Sequence, residues 1–472
     1  MLAEINPLIT SYVLLGVLQA SCFATTYDAF MICPAYPSPR YPICTVRGVI
    51  ITSLITLISV ITPIAVQAED GIGEMLEDNP KAVLDEAWQI VNREYVDAAF
   101  NQVNWIAARD RLLEQDYTST QAAYDALRDE LRLLQDPYTR FLNPQEYSDL
   151  SEQTAGEVSG VGLQLRRDTK TRSIYVTGIL AGSPAEQSGL QVGDRIMLID
   201  GQSTERLSVS GATRLLRGEE NSQVTLTYSR HNGQPFSVIM TRIRVELPTV
   251  NYHLQEINSY RIGYIRLSEF NAHATEQMVE AIESLLEQQA EAFVLDLRSN
   301  PGGLLSASIE ISRLWLQRGP IVRTLDRSGE SEQISANRSA LTSLPMAVLV
   351  NDRSASSSEI LTGALQDNDR AIVVGSTTYG KALVQSLYGL SDGSGLAVTI
   401  AHYYTPDGTD ISQKGITPDI EVDLSSHEQR ELFSDPSLLG SDQDIQFLGA
   451  VTSLGPTIQA QPGPSRLGRS PE

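Results

Sequence analysis

The chain has 472 residues, 42% hydrophobic and 20% charged, which is an ordinary globular composition with apolar material for two to four domains. Its net charge of −23 argues against a nucleic-acid partner, because phosphate binding requires a basic surface. Cys22, Cys33 and Cys44 all precede residue 50, so the rest of the chain holds no disulfide framework, no cysteine-based zinc site and no thiol nucleophile.

Residues 1–68 read as a targeting segment. Arg40 and Arg47 precede the uncharged run GVIITSLITLISVITPIAVQA, which ends in Val66-Gln67-Ala68, a small-residue cleavage site. The run is also long enough to span a bilayer, so a cleaved signal peptide and a retained membrane anchor both stay open. With either, the body of the chain is expected to be exported, with membrane association in the second case. Residues 72–150 are expected to form a small helical domain. In DNPKAVLDEAWQIVNREYVD, Val83, Ala87, Trp88, Val91 and Tyr95 recur at helical spacing, and further helical patterns cover 106–114 and 121–135. Nothing in this segment reads as catalytic.

Residues 151–246 change to short strands with two short helical stretches, SPAEQSGL and LSVSGATRLLRG. Here GVGLQL followed by AGSPAEQSGLQVGDRIMLIDGQ resembles a PDZ domain. That resemblance implies that the backbone N–H groups of Val161, Gly162 and Leu163 receive a peptide's C-terminal carboxylate, while the peptide adds as a strand beside 163–167.

Residues 247–425 alternate helices with continuous apolar strands, AFVLDLR, MAVLVN and AIVVG among them, and end in a hairpin of ALVQSLYGL and GLAVTIAHYYT. The expected fold class is therefore α/β multidomain, with a core built on a mainly parallel sheet. Residues 426–472 are polar and rich in Pro, Gly and Ser, and are expected to form a disordered tail.

The stretch NDRSASSSEI, residues 351–360, carries Ser354, Ser356, Ser357 and Ser358 between an apolar strand and a helix. Ser356-x-x-Glu359 matches a capping box, and taken alone it reads as a helix start. The same geometry also suits a nucleophile, since a helix N-terminus offers N–H groups to an oxyanion. A serine hydroxyl then needs a base. Of the five histidines, only His402 lies near strand ends in the α/β region. Lys381 is the sharper candidate, one of only four lysines, in the loop STTYGKALVQ after the next buried strand. Loops after adjacent parallel strands open on one sheet edge, so Ser356 and Lys381 are expected to meet there. A free lysine has a pKa near 10.4, so desolvation among apolar walls and the positive end of a helix must lower it to roughly 7–8, at about 4 kcal/mol. In DLRSNPGG, residues 296–303, Gly302 and Gly303 expose N–H groups that complement the N–H of Ser357 as an oxyanion hole.

Together with DPYTRFL, GYIRLSEF, YYTPDG and GITPDI, these stretches resemble the C-terminal processing peptidases, the PDZ-containing tail-specific protease family with a Ser/Lys dyad, over roughly 78–425. The resemblance places the nucleophile on Ser356, the base on Lys381, and accessory roles on Gln385 and Glu359. It implies protein substrates with an accessible C-terminus and no metal or organic cofactor. It points to the branch of cyanobacterial and plastid enzymes that mature the photosystem II D1 protein, hence to a periplasm or thylakoid lumen. Arg353, Ser357, Ala382 and Ser376 depart from the family pattern, which bears on substrate preference or rate. Two other readings are a Ser/His hydrolase using His402 and a non-catalytic PDZ scaffold or chaperone with a decayed protease domain.

Overall fold

The helical segment starts at Asn79, whose side chain caps helix α1 (Pro80–Glu94) by accepting the Lys81 N–H, with Pro80 where no donor is needed. The computed structural model describes residues 79–460, with 169 and 232 excepted. The targeting segment, its cysteines and residues 461–472 lie outside the described residues. Val83, Leu84, Ala87, Ile90 and Val91 form one stripe of α1 and bury it against α2 (Trp105–Glu114) and α3 (Thr120–Arg132). A short strand, β1 (Arg140–Leu142), and helix α4 (Pro144–Ala155) follow.

Strands β2 (Glu157–Gly160) and β9 (Ile243–Glu246) pair antiparallel and form the way into and out of the β-rich domain. Between them, β3 (Leu163–Arg167), β4 (Ile174–Ile179), β5 (Arg195–Ile199), β7 (Gln223–Ser229) and β8 (Pro235–Thr241) follow that order in one sheet, with β6 (Gln202–Ser203) beside β5. Helices α5 (Pro184–Gln187) and α6 (Val209–Leu216) complete it, with Ala212 and Leu216 packed on Ile174, Val176, Ile196 and Leu226.

The α/β core is a sheet ordered β10 (Val250–Ile257), β11 (Tyr260–Leu267), β12 (Ala292–Asp296), β15 (Met346–Val350), β16 (Ile372–Gly375) and β19 (Ile420–Glu421). Its neighbours are parallel from β11 onward, and β10 forms an antiparallel edge. Side chains alternate across a strand, so both faces of β12 must be covered. Phe293 and Leu295 face α7 (Ala274–Glu287), α8 (Leu305–Trp315) and α9 (Ser357–Asp367).

Ala292 and Val294 point the other way and meet the C-terminal segment, which corrects the expectation of a disordered tail from 426. Residues 426–460 form α10 (Ser426–Ser434) and α11 (Ile445–Ala460). Phe447, Ala450, Val451, Leu454 and Ile458 of α11 lie on Ile262, Tyr264, Ala347, Leu349 and Val374. Their helical spacing was present in the sequence but interrupted by Gly449, Gly455 and Pro456. Arg298, just past β12, pins this segment. Its side chain is 0% exposed and bonds Asp296 at 2.6 and 2.9 Å, Asp444 at 2.7 and 2.9 Å and Gln446 at 3.0 Å.

A second sheet holds β13 (Pro320–Asp326) and β14 (Ser331–Ser335), which the sequence reading did not assign, and the expected hairpin of β17 (Leu383–Gly389) and β18 (Gly395–Tyr404). β1 pairs with β18, setting Arg140 opposite Ala397 and Phe141 opposite Leu396. Leu390, Leu396 and Val398 complete the helical core, so the helices form a layer on this sheet. That layer carries the Asp136–Arg140 turn to the edge of the core.

Candidate active site

Three loops leave the C-terminal ends of the adjacent parallel strands β12, β15 and β16, carrying Gly302 and Gly303, Ser356, and Lys381. In such sheets this edge is where ligands bind. Ser356 sits at the junction with α9 at φ 57°, ψ −116°, a conformation costing a non-glycine residue about 1–3 kcal/mol. That strained strand-to-helix turn is the geometry by which other hydrolase folds present a serine.

Glu359, 0% exposed and one turn into α9, is the hub that fixes the site. One carboxylate oxygen accepts the N–H of Ser356 at 2.8 Å and of Lys381 at 2.9 Å. The other accepts the Gly380 N–H and the Thr378 hydroxyl, both at 2.6 Å. Burial pushes its carboxyl above the ordinary value, against these four hydrogen bonds. Its own N–H goes to the Ser356 carbonyl at 2.7 Å, which leaves the Ser356 hydroxyl without a hydrogen-bond partner among the described residues. The Tyr403 hydroxyl donates to the backbone carbonyls of both Ser356 and Lys381, closing the same ring from the other side. Gly380, at φ +86°, lies where a Cβ would meet the Lys414 and Gly415 nitrogens at 2.8 Å, so only glycine lets the lysine loop come this close.

Lys381 is 4% exposed, and its ammonium lies 4.3 Å from the centre of the Tyr138 ring. Burial first, and the neighbouring Arg140 charge to a smaller extent, lower it to about 8 against the opposing pull of Asp136 and Glu359. At that value a useful fraction is neutral near pH 7–8. The helical segment, read as without catalytic features, thus supplies Tyr138 and Arg140 to the lysine. Only the β1–β18 pairing, 255 residues apart in sequence at Phe141 and Leu396, brings them there.

The N–H of Gly302 donates to Asn300 Oδ1 at 2.8 Å. The N–H groups of Gly303 and Ser357 have no partner among the described residues. The Ser357 hydroxyl donates to the Gly303 carbonyl at 3.0 Å, holding these two free donors together. Gly303 is at φ +146°, and a Cβ there would stand 2.1 Å from the Phe270 carbonyl oxygen. Ser354 and Ser358 spend their hydroxyls on the carbonyls of Leu297 and Asn300, at 2.8 and 2.9 Å. Gln385 is 1% exposed with both amide atoms unpartnered among the described residues, beside Lys381 in one cavity. His402 neighbours Tyr403 on β18, and adjacent strand residues point to opposite faces, so it faces away from Ser356.

In the β-rich domain, Val161 and Gly162 turn their carbonyls to the Ala185 and Leu180 N–H groups, at 3.0 and 2.9 Å, and leave their own N–H groups unpaired among the described residues. Leu163 opens β3, which pairs with β4 alone, so its other edge is open to an added strand.

Residues 261–422 match the model of peptidase family S41, and residues 149–229 that of the PDZ domain. The chain belongs to peptidase family S41, and it is a serine-type C-terminal processing peptidase rather than a non-catalytic scaffold. Its relatives narrow the description. A carboxyl-terminal-processing protease of Synechocystis sp. is 44% identical over 376 residues, 79% of this chain and 86% of that protein. The chloroplastic carboxyl-terminal-processing peptidase 2 of Arabidopsis thaliana is 41% identical over 360 residues, 74% of this chain and 70% of that one. A solved structure of a photosystem II D1 C-terminal processing protease is 34% identical with a TM-score of 0.50, covering 77% of this chain and 98% of that chain.

Proposed function

We propose that Ser356 is the nucleophile and Lys381 its general base, in an enzyme that trims exported proteins in a periplasm or thylakoid lumen, the photosystem II D1 precursor among them. Lys381 in its neutral form takes the Ser356 proton as the hydroxyl oxygen bonds to the scissile carbonyl carbon. The N–H groups of Ser357 and Gly303 receive the resulting oxyanion. The C–N bond then breaks, Lys381 returns the proton to the leaving amine, and an acyl-enzyme remains on Ser356. Lys381 deprotonates water to release it. Gln385, in the same cavity, offers its free amide to the lysine during turnover, Glu359 positions both loops, and Val161, Gly162 and Leu163 hold the substrate's C-terminal carboxylate.

The observation that carries this reading is the shared carboxylate of Glu359, which bonds the backbone N–H groups of Ser356 and Lys381 at 2.8 and 2.9 Å. Likeness to a D1 processing protease supports the substrate. The test is to compare purified wild type with Ser356→Ala and Lys381→Ala on a peptide carrying the C-terminal extension of the D1 precursor. Both variants are expected to stay folded and lose cleavage, and retained activity in Lys381→Ala refutes the dyad.

A further inference from the structure

The cavity beside Lys381, of about 470 Å³, is lined by three basic side chains, Arg140, Arg353 and Lys381, and by no Asp or Glu. In a chain with 58 acidic and 35 basic residues, a cavity of this sign is against the average. Arg140 and Arg353 are exposed, and neither makes an ion pair among the described residues, although most of the arginines around the helical layer do. They come from unrelated parts of the chain. Arg140 is held by the pairing of β1 with β18. Arg353 sits in the turn before Ser356, where its N–H donates to Asn351 Oδ1 at 3.1 Å. Two guanidiniums without an ion pair among the described residues, one on a strand and one in a turn, opening onto one cavity next to the reacting groups, offer the planar fork that carboxylates accept.

We infer that Arg140 and Arg353 form a carboxylate-binding subsite that selects the residues flanking the scissile bond. The inference rests on Ser356 and Lys381 being the cleaving pair. The carboxylate has two sources: an Asp or Glu side chain near the scissile bond, or the terminal carboxylate of a short leaving segment.

The test uses two series of peptides on the full enzyme. One exchanges Glu for Gln at each position flanking the scissile bond, with an amidated end. The other keeps neutral side chains and varies a free against an amidated C-terminus placed one or two residues past the bond. One of the two carboxylates is expected to raise kcat/KM about tenfold, less at high salt. In Arg353→Gln or Arg140→Gln the ratio is expected to fall toward one, with Arg353→Lys keeping part of it. A wild-type ratio near one in both series, or an undiminished ratio in both Gln variants, overturns the subsite. Binding of the same peptides to Ser356→Ala, read by fluorescence anisotropy, separates the two claims. Turnover without carboxylate preference contradicts the subsite alone, while carboxylate-selective binding with cleavage retained in Lys381→Ala contradicts the cleaving pair alone.

Discussion

Lys381→Met is expected to abolish cleavage and to make the protein more stable. Met is close to lysine in length and fills the same buried space without a charge. Burial lowers the lysine from 10.5 to about 8, and a fall of that size corresponds to about 3 kcal/mol spent holding a cation in a dry site. The sign follows from which state binds the proton. Below pH 8 both folded and unfolded chains carry the charge, so the cost is present in full. Between pH 8 and 10.5 the folded chain sheds the proton while the unfolded chain keeps it, and the cost fades as pH rises. Urea unfolding followed by tryptophan fluorescence at pH 7 and pH 10 measures the difference between variant and wild type. The variant is expected to gain up to about 3 kcal/mol at pH 7 and clearly less at pH 10. A variant no more stable than wild type at pH 7 refutes the desolvated lysine.

Glu359→Gln replaces one oxygen that accepts two hydrogen bonds by a donor, so the loops of Ser356 and Lys381 lose a common anchor. Activity is expected to fall at least about a hundredfold, with a stability loss of about 2 kcal/mol in thermal unfolding. Asp444→Asn leaves the buried Arg298 short of a counter-charge, and a loss of about 3–5 kcal/mol is expected from denaturant titration. Gly303→Ala forces a Cβ against the Phe270 carbonyl oxygen, and reduced cleavage alongside a lower melting temperature is the expected result.

What the sequence revealed was whatever depends on neighbours along the chain. The apolar strands ending in MAVLVN and AIVVG announce a parallel sheet, and sheet geometry alone places Ser356 and Lys381 on one edge. The serine at the helix start is ambiguous from its own stretch, and a second loop is needed to read it as a nucleophile. Elements fixed by distant pairing were illegible. Tyr138 and Arg140 reach Lys381 only through β1 on β18, and no local pattern announces that register. The α11 stripe was weakened by Gly449, Gly455 and Pro456, yet a parallel sheet with both faces apolar already demanded such a cover. Gly302 and Gly303 looked equivalent, and the Asn300 side chain that occupies the Gly302 N–H separates them.

The pH dependence of kcat/KM tests the Ser356–Lys381 pair most directly. With Lys381 near 8 acting as the base, log kcat/KM for a neutral peptide is expected to rise by about one per pH unit below pH 8 and level off above it. Lys381→Ala is expected to remove that rising limb together with the activity. A midpoint near 6.5 that disappears in His402→Gln, with Lys381→Ala still active, contradicts the pair.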